Sequence, residues 1–339
     1  MYKPKTRKEW ALLGITLAQA LLITALDLYI LLSYFDWILP AVFQVPNSYV
    51  IPVNFGLSVL GNLYQVALAF DGLRMKNNLQ LYSVCVLNGG LFIFSVMRYR
   101  QTGKVTAGLQ AAKAMGNKPL TNHQIDYWSN TQPALLATTA VVGVSWVAEC
   151  GFVWLLQREF RWAIYRHISG SLEMLRRYFA YQVLLVVIRI EVYFFVGFVV
   201  IYGLVDVHFD QPEFALTFAL IPALVIQVAL TIIFTKSENY TGAILAIILR
   251  LGEMAYLLNR ILAILGTGPR ANTALKDEIL LFAGTALGLA TLACLTAMLC
   301  VVNFGKGLKP LLGNYSWKQA PQEFEPVNQH RYSERIELD

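Results

Sequence analysis

Stretches of about 20 mostly apolar residues recur eight times along this chain, each long enough to cross a hydrocarbon core roughly 30 Å thick as a helix rising 1.5 Å per residue. They are read at approximately 10–34, 50–70, 79–97, 134–156, 179–205, 214–235, 242–265 and 279–303. Lipid offers no partners to backbone polar groups, and helices satisfy their own. The expected fold is therefore an all-α polytopic transmembrane bundle of about eight spans. It has seven if 242–265, which carries Arg250, Glu253 and Arg260, lies in the interface instead. Composition agrees: 57% of the 339 residues are hydrophobic and 14% charged, about half the charged share of a soluble domain.

The net charge of +6 does not imply a nucleic-acid partner, because the cations sit in short segments beside apolar blocks. Such placement records orientation. With the N-terminus (1–9) in the cytosol, most of the 27 Lys and Arg residues fall on the cytosolic side, and both ends are expected there. The segment 98–133 is the exception. It carries Arg98, Arg100, Lys104, Lys113 and Lys118, yet this scheme makes it a luminal loop. Ala18-Gln19-Ala20 has the form of a signal-peptide cleavage site, but the apolar run continues to Leu32 and fits a retained first span.

Two parts outside the spans have character. In 157–178, Phe160, Ile164, Ile168, Leu172 and Leu175 share one helical face, opposite Arg158, Arg166, Arg176 and Arg177. That pattern suits a basic helix on a leaflet of anionic lipids, and equally a solvated connector. The tail 304–339 is polar, contains Pro310, Pro321 and Pro326, and is expected to be a mostly disordered cytosolic segment.

Polar groups are costly in lipid, so their alignment within spans carries the most information. Asn54, Ser58, Asn62 and Gln65 fall within about 80° of one another on a helical projection. Thr138, Ser145 and Glu149 fall within about 40°, and Arg250, Glu253 and Arg260 within about 80°. Arg250 and Glu253 are spaced to pair within their own helix. Asp27 adds to the first span and Arg189 to the fifth, while Glu191 points away from Arg189 toward another helix. These residues are candidates to line a hydrated path, with Asp27, Glu149 and Glu253 as proton or cation sites. The same residues could instead be interhelical ties, worth about 0.6 kcal/mol per average hydrogen bond. Gly284 and Gly288 form a G-x-x-x-G pair that suits close helix approach and leaves a homo-oligomer open.

Catalytic constellations are not visible. His123, His167, His208 and His330 are scattered, and neither H-E-x-x-H nor C-x-x-C occurs, so no metal site is expected. No phosphate-cradling glycine motif occurs either, and no cofactor or enzymatic activity is expected. The four cysteines all fall inside spans and outline no disulfide framework. The sequons at Asn239 and Asn314 lie on the side read as cytosolic, where glycosylation does not reach.

The stretch Tyr64 to Asn88, YQVALAFDGLRMKNNLQLYSVCVLN, resembles a family of uncharacterised fungal Golgi apparatus membrane proteins. The opening Thr6-Arg7-Lys8-Glu9-Trp10 and the departure from the last span, Asn303-Phe304-Gly305-Lys306-Gly307-Leu308, resemble it too. The resemblance implies a multi-pass protein of the Golgi or a related endomembrane and supplies no catalytic residues. Two functions are expected of such a chain. It transports a small solute or ion through a polar-lined bundle, or it is a non-catalytic scaffold or trafficking factor acting through its tail and basic connector.

Overall fold

The computed structural model describes residue 4 and residues 6–306 apart from 40–41, 43–44, 77, 113–118, 168–171, 208, 268–272 and 274. Within 159–174 only the side chain of Glu173 is described. The elements run α1 (Arg7–Trp37), a 3-10 turn (Pro46–Tyr49), α2 (Val50–Met75), α3 (Asn78–Ala111), α4 (Tyr127–His167) and α5 (Leu172–Ile201). A π-helical stretch (Tyr202–Val207) continues α5, and α6 (Glu213–Ser237), α7 (Tyr240–Leu265) and α8 (Lys276–Val302) follow. All eight helices are long and apolar enough to cross a membrane. The chain is an all-α polytopic membrane bundle. Residues 242–265 belong to a 26-residue helix about 39 Å long, which gives α7 the dimensions of a full span.

The helices pack as two closed rings of four. In the first, α1 touches α2, α2 touches α3, α3 touches α4 and α4 returns to α1. In the second, α5, α6, α7 and α8 repeat that circuit. The outward faces carry large apolar side chains, among them Leu21, Val144, Val147, Leu216, Ile248 and Val302, each more than half exposed. An apolar surface of that extent suits lipid rather than water.

The rings meet where α5 and α8 lie against α2 and α3. Tyr64 stacks on Tyr193, Phe94 meets Phe282 edge-on at 5.3 Å, and Phe194 lies between Tyr193 and Phe282. Glycines make room for these rings. A Cβ at Gly61 would lie 2.6 Å from the Tyr193 hydroxyl, and one at Gly197 would overlap the Phe282 ring.

Local signals explain several helix ends. Thr6 accepts a hydrogen bond from the Glu9 N–H and caps α1, while Trp10 Nε1 reaches back to the Pro4 carbonyl. Lys76 and Glu238 end α2 and α6 in left-handed conformations, with φ of 48° and 54°, at turns of about two residues that force antiparallel neighbours. Beyond α8 the chain is held at three points: Gly305 N–H donates to Glu238, Tyr240 to the Phe304 carbonyl and Arg177 to the Lys306 carbonyl.

Two boundaries differ from the expected ones. Residues 98–133 are not one long loop: α3 continues to Ala111, α4 starts at Tyr127, and the connection shrinks to 112–126. The charges there suggested a loop, but Arg98 turns inward and is 3% exposed. The described residues 119–126 of the connection lie across the end of α1. Leu39 N–H donates to the Leu120 carbonyl, Asn122 N–H donates to the Trp37 carbonyl, and Trp37 stacks on Tyr127 at 4.9 Å. Nor is 157–178 one separate helix, since α4 runs unbroken through to His167 and α5 begins at Leu172. The proposed apolar face of Phe160, Ile164, Ile168 and Leu172 lies outside the described residues, as does the tail from 307 onward.

Candidate functional site

At the centre of the first ring, one buried network ties all four helices together. Gln19 of α1 places its Nε2 3.0 Å from Asn62 Oδ1, 3.1 Å from Gln65 Oε1 and 3.0 Å from Asn88 Oδ1. A carboxamide has two hydrogens for these three acceptors, so one of them is shared. Asn88 of α3 donates back to Gln19 Oε1 at 3.0 Å and to Glu149 Oε2 at 2.7 Å. Gln65 of α2 donates to Glu149 Oε1, also at 2.7 Å. Gln19, Asn62, Gln65, Asn88 and Glu149 are all 3% exposed or less.

Glu149 of α4 is the only ionisable member of this group, and among the described residues no cation lies within ion-pair distance of it. Burying a carboxylate costs several kcal/mol even after the surroundings relax. Each hydrogen bond to a charged group returns about 1.5–3 kcal/mol, and Glu149 receives two of the length typical for charge-assisted bonds. The opposing terms are of similar size. The arrangement can therefore accept a proton or a small cation at modest cost.

The second ring holds a different cluster. Arg250 of α7 donates through Nη1 to Glu191 Oε1 of α5 at 2.6 Å and also contacts Oε2. Glu253, one turn on, is 3.9 Å from the same guanidinium and takes a 2.6 Å bond from Gln227 of α6. The expected pairing within α7 is therefore secondary, and the main partner of Arg250 comes from another helix. A recess between α6, α7 and α8, lined by Thr231, Thr235, Ala246 and Ala297, also has Arg250 in its wall.

A third group joins residues of α1, α2, α3 and α8. Arg98 Nη1 donates to Asp27 Oδ1 at 2.8 Å, and Asn54 Nδ2 approaches Glu278 Oε1 at 3.5 Å. Two pairs lie at the margins. Arg189 binds Asp71 at 2.7 Å, with Gln80 on the same carboxylate, and Arg260 lies 3.0 Å from Glu213 beside Tyr202.

The candidate residues thus separate into groups instead of forming one path. Asn62, Gln65 and Glu149 come together, as do Arg250 and Glu253. Asp27 and Asn54 join the third group, while Arg189 and Arg260 are partly exposed marginal residues. Thr138 bonds its own helix at Ala134. Sequence reasoning missed Gln19, Asn88, Arg98 and Glu278. An isolated amide in an apolar run leaves no stripe to detect, and Arg98 and Glu278 lie just outside the apolar blocks. Glu191 does reach another helix, as its position opposite Arg189 suggested. Gly284 and Gly288 face outward, with nothing within 4 Å of where a Cβ would sit.

Comparison with known proteins adds a relative. Over 273 residues the chain is 23% identical to a UPF0658 Golgi apparatus membrane protein of Schizosaccharomyces pombe, covering 76% of this chain and 77% of the relative. The resemblance to fungal Golgi apparatus membrane proteins is borne out. No family model and no solved structure matches. The segment that first suggested the fungal Golgi relatives, Tyr64 to Asn88, supplies two donors to Glu149 and both Asp71 and Gln80 of the marginal pair. Its residues bind the α2–α3 hairpin to α4 and α5.

Proposed function

We propose that this multi-pass protein moves a small solute or ion across a membrane of the Golgi or a related endomembrane, using the first ring as its binding centre. One observation carries the reading: Glu149, wholly buried at mid-helix, is held by amides from neighbouring helices and, among the described residues, by no cation. Intramembrane acids of this kind mark ion and proton routes. A charge held by carboxamides alone can be exchanged without breaking an ion pair.

The test is to reconstitute the full chain in lipid vesicles and follow proton, sodium and potassium movement under imposed gradients. Flux of at least one ion above that of empty vesicles is expected, falling about tenfold, the equivalent of 1.4 kcal/mol, in Glu149→Gln. Equal flux in the two proteins would overturn the reading.

Eight antiparallel spans leave both ends on one face, and the Lys and Arg distribution supports the cytosol for that face. A tag after Asp339 is then digested by protease added to intact Golgi vesicles; a protected tag would reverse the orientation. The scaffold reading is favoured by one feature, the three-point hold on residues 304–306, which makes the tail leave from a defined place beside α5 and the α6–α7 turn.

A further inference from the structure

Asp27 and Glu253 each have an arginine within ion-pair distance, whereas among the described residues Glu278 has none. It lies in the first turn of α8 and is fully buried, and among the described residues its Oε2 has no hydrogen-bond partner. The guanidinium of Arg98 acts on Glu278 electrostatically but is committed to Asp27 at 2.8 Å. Asp27 and Arg98 neutralise each other, so a charged Glu278 would leave the group with one uncompensated negative charge in a buried position.

The amide beside it gives a second, independent sign. Carboxylates draw amide donors close, as the 2.7 Å contacts at Glu149 show. At Glu278 the Asn54 Nδ2 stays 3.5 Å away, and the other end of that amide, Asn54 Oδ1, is buried without a partner among the described residues. Oxygen and nitrogen of a carboxamide exchange places by a half-turn of the group. That half-turn presents Oδ1 to Glu278, where it can accept a hydrogen bond from a neutral carboxyl.

We propose that Glu278 is a proton-binding site, a carboxyl that takes and releases a proton opposite Asn54 in the first turn of α8. The charged groups acting on it are Arg98 from α3 and Asp277 from its own turn. Asn54 from α2 is uncharged, and Asp27 from α1 faces Arg98. The site stands whether or not the first ring transports anything, because it concerns a proton equilibrium and not a flux.

Potentiometric titration of the full chain in detergent, between pH 5 and pH 10, tests it. The wild-type protein is expected to release one more proton over that range than Glu278→Gln. Superimposable curves from the two folded proteins would overturn the proposal. If Glu278→Gln fails to fold, Asn54→Leu keeps the acid and removes its acceptor, so the corresponding step moves to another pH. An unchanged curve from folded Asn54→Leu would overturn the proposal equally. Loss of flux in Glu149→Gln bears on neither outcome.

Discussion

Arg250→Met is expected to destabilise the protein by about 3–5 kcal/mol, because it strands an acid in the apolar interior of the second ring. Glu191 gives both carboxylate oxygens to this one guanidinium, and Glu253 lies 3.9 Å away from it. Loss of monodisperse protein on heating the detergent-solubilised chain measures the effect. The double variant Arg250→Met with Glu191→Leu is expected to regain most of it, since a buried ion pair replaced by apolar groups is often neutral or stabilising. A single variant as stable as wild type would show that the pair does not tie α5 to α7.

Gly197→Leu is the second large effect, and it acts by volume instead of charge. Even a Cβ at Gly197 overlaps the Phe282 ring, which also packs against Phe94, Tyr193 and Phe194. Overpacking a tight core costs about 1–3 kcal/mol, and here the strain falls where α5 meets α8 and the two rings join. The same heating experiment reads the loss. Adding Phe282→Ala should return part of it by vacating the space. Failure of that second change to help would place the strain somewhere other than the Phe282 contact.

Much of this architecture was legible because lipid imposes simple rules. The apolar blocks mark the eight helices, and helical projection puts Asn62 and Gln65 on one face of α2, where both meet Gln19. Projection says which face a residue occupies but not which helix lies opposite. Asp27, Glu149 and Glu253 were therefore read as one path when they belong to three separate packing environments. Arg98 was misplaced for a related reason. A run of cations usually lies outside the membrane, and the acid at Asp27, 71 residues away in sequence, holds this arginine inside. Glu278 looked like a residue ahead of its span because hydropathy rises only at Ile279, whereas the helix begins at Lys276.

The closed first ring also has a meaning for the order of synthesis. Domains made on the ribosome tend to assemble from the N-terminal side, and here α1, α2 and α3 leave the ribosome before α4. At that stage Gln19, Asn62, Gln65 and Asn88 are all present, while the carboxylate that two of them bind has not yet been translated. Carboxamides can bond to one another in the meantime, as Gln19 does with Asn62, Gln65 and Asn88. The nascent three-helix stage thus carries a neutral polar seam, and the acid joins it only when the fourth helix closes the ring.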